Sequence, residues 1–117
     1  MPDTDQLFLP RDEEGRPWLF HFCDVRDLVQ GLTLLLDKPA AIGEAFNLSG
    51  PAPFSFDQVV SYISERTGQP VVDATIKGPP IRIHHSTAKA RAMLGYEPKH
   101  DVFRTLDDAL AVREEKR

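Results

Sequence analysis

The 117-residue chain has one cysteine, Cys23, so it can hold neither an internal disulfide nor a cysteine-rich metal site. It has no long apolar run. The longest strongly apolar stretch is Leu32–Leu36, far too short to span a bilayer, so no membrane role is expected. Positive charge is in deficit: 14 Lys and Arg stand against 18 Asp and Glu, a net charge of −4. The two signs are mixed along the chain and form no basic stripe, which excludes nucleic acid as an expected partner. Its acidic start at Met1–Asp5 is not a secretory signal, and a soluble cytoplasmic protein is expected.

Catalytic motifs are lacking too. A dinucleotide turn needs closely spaced glycines so that the backbone can approach a pyrophosphate. The seven glycines here are Gly15, Gly31, Gly43, Gly50, Gly68, Gly78 and Gly95, and no two have the G-x-G-x-x-G spacing. There is no Walker loop, nucleophile elbow or H-E-x-x-H motif. A Tyr-x-x-x-Lys proton-transfer pair is missing as well: four residues after Tyr62 comes Arg66, and four after Tyr96 comes His100. No catalytic, cofactor-binding or metal-binding residue is therefore expected in this chain.

What is present is a modest core, with 41% hydrophobic residues, and a regular succession of elements. Residues 1–15 read as an irregular lead-in, since Pro2, Pro10 and the charged run from Arg11 to Arg16 suggest no packed element. Trp18, Phe20 and Phe22 alternate, as in a strand. Val25, Leu28, Val29, Leu32, Leu35 and Leu36 form one stripe at helical period, with Asp24 as N-cap and Pro39 beyond the end. Glu44–Leu48 reads as a short strand. Ser55 and Gln58 make a capping box, Phe54 and Val59 a hydrophobic staple, and Gly68 and Pro70 stop that helix. Val71–Ile76 reads as a strand broken by Gly78–Pro80. Ser86 opens a short helix ended by Gly95, and Thr105 with Asp108 opens the last one. Residues 113–117 read as a solvated tail. The order β-α-β-α-β-α-α predicts an α/β fold with a small mixed or parallel sheet and about four helices.

The histidines and acids have plain structural readings. His84 and His85 are adjacent, so in an extended segment they point to opposite faces and chelate one metal poorly. His21 faces away from the Trp18–Phe22 stripe, where a hydrogen-bonding structural role fits best. Cys23 has no visible base and reads as a buried structural thiol. Asp24 and Asp27 lie one turn apart at a helix start, where capping and the helix dipole account for both.

Three segments, in this order, carry a family resemblance. Phe20–Val29 (F-H-F-C-D-V-R-D-L-V) is a strand entering a helix. Gly43–Gly50 (G-E-A-F-N-L-S-G) is followed by the capped segment Phe54–Val60. Ser86–Pro98 (S-T-A-K-A-R-A-M-L-G-Y-E-P) is followed by the closing segment Thr105–Leu110. Together they resemble the C-terminal part of the extended short-chain dehydrogenases/reductases, the NAD-dependent epimerase/dehydratase family.

The resemblance implies that residues 16–112 form a substrate-side lobe whose N-terminal Rossmann domain, with its NAD(P) and catalytic residues, is not in this chain. It implies a nucleotide-sugar substrate, with Arg16, His21, Lys77 and Arg82 as the substrate-side candidates. Pro17 and Ser86 depart from the family pattern. It also implies that Leu28, Leu32, Leu35 and Phe46 are exposed in an isolated monomer, there to meet the Rossmann domain or a second copy. The chain is then the non-catalytic part of an epimerase or dehydratase. The alternative is a stand-alone self-associating or partner-binding module. A small metal enzyme built on His84 and His85 is the weakest of the three readings.

Overall fold

Residues 5–79 and 81–116 are described in the computed structural model. Met1–Thr4, Pro80 and Arg117, which belong to the expected lead-in, strand breaker and tail, lie outside the described residues. The elements are β1 (Leu7–Arg11), β2 (Leu19–Phe20), α1 (Val25–Leu36), a 3₁₀ turn (Pro39–Ala41), β3 (Phe54–Ser55), α2 (Phe56–Thr67), β4 (Val71–Thr75), α3 (Ala88–Leu94) and α4 (Val102–Glu115). The fold is the expected mixed α/β type, with four helices and a small parallel sheet. The described residues divide into two compact units, one holding the chain up to Phe20 and Phe54–Ile83, the other holding His21–Pro53 and the residues from His84 on.

The first unit contains a correction. The expected irregular lead-in holds β1, which pairs in parallel with β4 from Leu7↔Val71 to Arg11↔Thr75. Pro10 argued against a strand, but a two-stranded ladder leaves each strand one open edge, where a missing N–H costs little. The partner lies more than sixty residues away, so no local pattern announces it. The charged run then folds into a turn around Asp12, which is 3% exposed. Asp12 Oδ1 accepts from Glu14 N–H at 2.9 Å and Arg16 N–H at 2.8 Å, and Arg16 Nε donates to Oδ2 at 2.8 Å. This is the aspartate turn chemistry that offers the backbone a local partner. Gly15, at φ 82°, closes it.

α2 forms as its start and stop signals require. Gln58 Oε1 accepts from Ser55 N–H at 3.2 Å, completing the capping box, and the Ser55 hydroxyl donates to Asp57. Gly68, at φ 74°, ends the helix with its N–H on Ser64 O at 2.9 Å. Phe54, Val59 and Val60 are buried, as is Leu9 of β1, against which α2 packs. Trp18, Phe20 and Phe56 cluster beside them, with the Phe20 and Phe56 ring centroids 4.7 Å apart. β2 pairs antiparallel with β3 and is shorter than the expected Trp18–Phe22 strand. On β2's other side Leu19 exchanges backbone hydrogen bonds with Ile81 and Ile83 at 2.9 Å.

The second unit is centred on Ala90, Leu94 and Tyr96, with Leu34, Leu35, Ala41, Phe46 and Leu48 packed around them. Glu44–Leu48 is not a strand, a second correction. A strand needs a neighbour's donors and acceptors; here Phe46 and Leu48 serve the helix-lined core instead. A third correction concerns helix starts. α3 begins at Ala88, with Thr87 in the cap position and Ser86 Oγ accepting from Ala88 N–H at 3.3 Å. α4 begins at Val102, three residues before Thr105, because Asp101 caps it and accepts from Arg104 N–H at 2.8 Å.

The orientation of α1 agrees in part with the exposure expected of Leu28, Leu32, Leu35 and Phe46. Its buried residues are Asp27 and Gly31, while Val25, Leu28, Val29, Leu32 and Leu36 are exposed. The apolar stripe faces outward. Of the four side chains expected to be exposed, Leu28 (36%) and Leu32 (49%) are, whereas Leu35 and Phe46 are half-buried against the core. Gly31 permits the close approach on the inner side: a Cβ there would meet Leu48 Cδ1 at 2.7 Å.

Candidate functional site

The densest cluster of polar chemistry lies at the start of α1, in the second unit. Asp24 caps the helix, taking Arg26 N–H at 2.8 Å on Oδ1. The Arg26 side chain folds back on it through Nε and a terminal nitrogen, at 3.0 and 2.8 Å, and Thr105 donates to Oδ2 at 2.7 Å. The Arg26 guanidinium, then the Thr105 hydroxyl, hold the Asp24 carboxyl far below the usual carboxylate range, against the effect of its burial. Arg26 also reaches Asp108 at 2.7 Å.

Asp27 sits one turn further in and is 1% exposed. Its oxygens accept the N–H groups of Lys99 and His100 and a hydrogen bond from His100 Nδ1, each at 2.9 Å. Burial works to raise this carboxyl, but the three hydrogen bonds outweigh it and hold Asp27 below the usual range. A carboxylate accepting from an imidazole fixes the ring's orientation. Read from sequence, Asp27 was a dipole partner at a helix start. It is instead the buried anchor of the segment after Tyr96. The signal was there in part: Asp27 lies off the apolar stripe, on a face whose other members are Gly31 and Leu34.

Cys23 and Tyr96 lie beside this cluster. The Tyr96 hydroxyl donates to Ser49 O at 2.9 Å and approaches Cys23 Sγ at 3.6 Å. Burial pushes the thiol up, and the charges of Asp27 and Asp24 push the same way. Burial likewise raises the Tyr96 phenol beyond its ordinary range. Both groups stay protonated at neutral pH, so neither is poised as a nucleophile or a base.

The substrate-side candidates divide between the units. Arg16, Lys77 and Arg82 lie in the first. Arg16 is committed to ion pairs with Asp12 at 2.8 Å and Glu14 at 3.2 Å. Lys77 and Arg82 are exposed, Arg82 in the segment bridged to Leu19. His21 lies in the second unit and is buried, and both its ring nitrogens are engaged. Nδ1 accepts from His85 N–H at 3.0 Å, which makes Nε2 the donor to Gly50 O at 2.8 Å. This is the hydrogen-bonding structural role expected from its place opposite the aromatic stripe, although β2 itself ends at Phe20. His84 and His85 are exposed, their ring centroids 5.5 and 5.9 Å from that of His21. Among the described residues, no group of three or more His, Cys, Asp or Glu is arranged to hold a metal ion, and no helix is long and apolar enough to cross a membrane.

Gly50 ties the second resembling segment to the first. Its N–H donates to Phe22 O at 2.6 Å, and a Cβ at this position would sit 2.5 Å from that oxygen. Only glycine fits so close a backbone approach. The glycine ending G-E-A-F-N-L-S-G is thus a packing requirement.

No family model matches the chain. An uncharacterized UDP-glucose epimerase, YtcB, of Bacillus subtilis (strain 168) is 34% identical over 80 residues, which are 66% of this chain and 25% of that protein. A short-chain dehydrogenase/reductase superfamily protein of Agrobacterium tumefaciens, solved with bound NAD, is 35% identical, with a TM-score of 0.89, over 95% of this chain and 34% of its own. An epimerase of Methanothermobacter thermautotrophicus is 27% identical, with a TM-score of 0.70, over 84% of this chain and 30% of its own. The chain spans about a quarter to a third of the length of these relatives. With this likeness running over nearly all of its residues, the chain belongs to the short-chain dehydrogenases/reductases, among the NAD-dependent epimerases and dehydratases.

Proposed function

We propose that residues 16–112 are the C-terminal, substrate-side lobe of an NAD(P)-dependent nucleotide-sugar epimerase or dehydratase of the cytoplasm, and that this lobe is not catalytic by itself. The supporting observation is the likeness to an NAD-bound dehydrogenase/reductase over 95% of this chain but only 34% of that one. The missing glycine pattern and Tyr-x-x-x-Lys pair point the same way: the lobe supplies recognition, and the cofactor and proton transfer come from the other portion. Arg82 and Lys77 are the cations exposed to meet a diphosphate, Arg82 with a bidentate fork and Lys77 as a point charge. Arg16 would first have to leave Asp12 and Glu14. His21 contributes indirectly, by holding Gly50 and His85 in place.

The test is a thermal-shift titration of the pure chain with NAD, NADP and several UDP- and dTDP-sugars, together with an epimerisation assay. No turnover and no stabilisation by NAD are expected, with at most weak stabilisation by a nucleotide sugar. NAD-dependent turnover by the pure chain would overturn the reading.

A second reading, a self-associating or partner-binding module, is favoured by one observation: the outward apolar stripe of α1. Contiguous apolar surface of this kind marks an interaction site. Under the first reading it meets the cofactor-binding portion of the same protein, and under the second it meets another copy. Sedimentation at rising concentration separates them. A chain that stays monomeric at high concentration counts against self-association.

A further inference from the structure

α4 differs from the other helices in one respect: none of its 14 residues is buried. α2 buries Val59 and Val60, α3 buries Ala90 and Leu94, and even α1 buries Asp27 and Gly31. Phe103, Leu106 and Leu110 of α4 are half-buried, and a row of polar links joins α4 and its lead-in to α1. Gln30 and the Glu97 backbone exchange two hydrogen bonds of 2.8 Å. Asp27 holds Lys99 and His100. Asp24 takes the Thr105 hydroxyl, and Arg26 reaches Asp108. The core of Ala90, Leu94 and Tyr96 lies before this row in the chain and includes no residue of α4.

We propose that Val102–Glu115 is a strap, latched onto the start of α1 through Asp24 and Asp108, with its lead-in pinned by Asp27, and able to open as a unit while the rest of its own unit stays folded. Local opening of this kind belongs to elements with little buried apolar surface. Links between partly exposed charges weaken with salt.

Acid opens the latch as well. The carboxylates of Asp24, Asp27 and Asp108 all lie below the ordinary range, so the links they make are complete at neutral pH and are lost as pH falls through their folded values. The surrounding groups do not reverse this direction. The cations facing these carboxylates are Arg26 and Arg104, with Lys99 beside Asp27. Cys23 and Tyr96 stay neutral. His100 Nδ1 lies 2.9 Å from Asp27 Oδ1. Asp101 caps α4 through Arg104 N–H.

Hydrogen exchange read by mass spectrometry on the full chain tests the strap. The α4 amides are expected to exchange at least tenfold faster than those of α2 and α3, and faster still in 1 M NaCl. Thr105→Val and Asp108→Asn are expected to accelerate α4 several-fold while Ala88–Leu94 and Phe56–Thr67 are unchanged. Thr105→Val removes one hydrogen bond and no charge, and Asp108→Asn alters a half-exposed site, so the two variants fail to fold for different reasons if either does. The proposal is overturned if α4 exchanges in step with α3, if both variants leave α4 unchanged, or if they accelerate every helix alike.

Discussion

α1 and α2 are both 12 residues long, and both carry an apolar stripe at helical period. α2 turns its stripe inward, burying Val59 and Val60 with Leu9 and Phe54. α1 turns its stripe outward and presents Asp27, Gly31 and Leu34 to its own unit, held there by hydrogen bonds spanning some seventy residues of sequence. Periodicity therefore tells that a helix is two-faced without telling which face is inside. In a chain that spans about a third of its relatives' length, an apolar face has two destinations, this unit's core or a surface supplied by something else.

Asp27→Ala is the sharpest way to break the comparison. If α1 is seated by its polar side, removing this carboxylate orphans the N–H groups of Lys99 and His100, at a cost of about 3 kcal/mol in urea unfolding. A loss below about 1 kcal/mol would mean that the outward stripe, and not Asp27, seats the helix. Val60→Ala makes the matching cut in α2 and should cost about 2 kcal/mol, since it removes buried methyl groups from a packed site. Ser55→Ala should cost about 1 kcal/mol by weakening the α2 start, and the effect should be greatest on amides 56–59 in hydrogen exchange. Leu32→Ser, on the outer side of α1, should change stability by less than about 0.5 kcal/mol while reducing any concentration-dependent association. A large loss there would show the stripe to be covered in the monomer.

Acid separates the two helices in another way. Asp24 and Asp27 are ionised below the ordinary carboxylate range, which is about 4. Because their folded values are depressed, their contribution is complete above pH 5 and is lost as pH falls through 4 toward the folded values. The stability gap between the chain and its Asp27→Asn variant should accordingly narrow between pH 5 and pH 3. The gap between the chain and Val60→Ala should hold over the same window.

Much of the fold was legible locally. The capping box at Ser55, the stop at Gly68, the cap at Asp24 and the Gly95 ending all act within one turn of chain, so their residues suffice to name them. The β4 strand was legible from its β-branched run. β1 was not, because Pro10 and the charged run from Arg11 to Arg16 hide a pairing made only with Val71–Thr75. Glu44–Leu48 misled in the opposite sense. Its alternation is real, but Phe46 and Leu48 pack on a core that no strand pattern specifies. Among the candidate residues, His21 was readable as a structural hydrogen-bonder from its place opposite the aromatic stripe. The engagement of Arg16 by Asp12 was not, because it depends on how the turn closes.

The sequence alone determined which segments become helices, where α1 and α2 begin, where α2 and α3 end, and, through three ordered motifs, the family. Each of these rests on neighbours within a few residues, where capping, propensity and spacing act. Tertiary structure alone decided that Asp27 is buried and that Leu7–Arg11 is a strand. Each of those depends on a partner sixty or more residues away, and burial and hydrogen bonding at that distance are settled only when the chain has closed on itself.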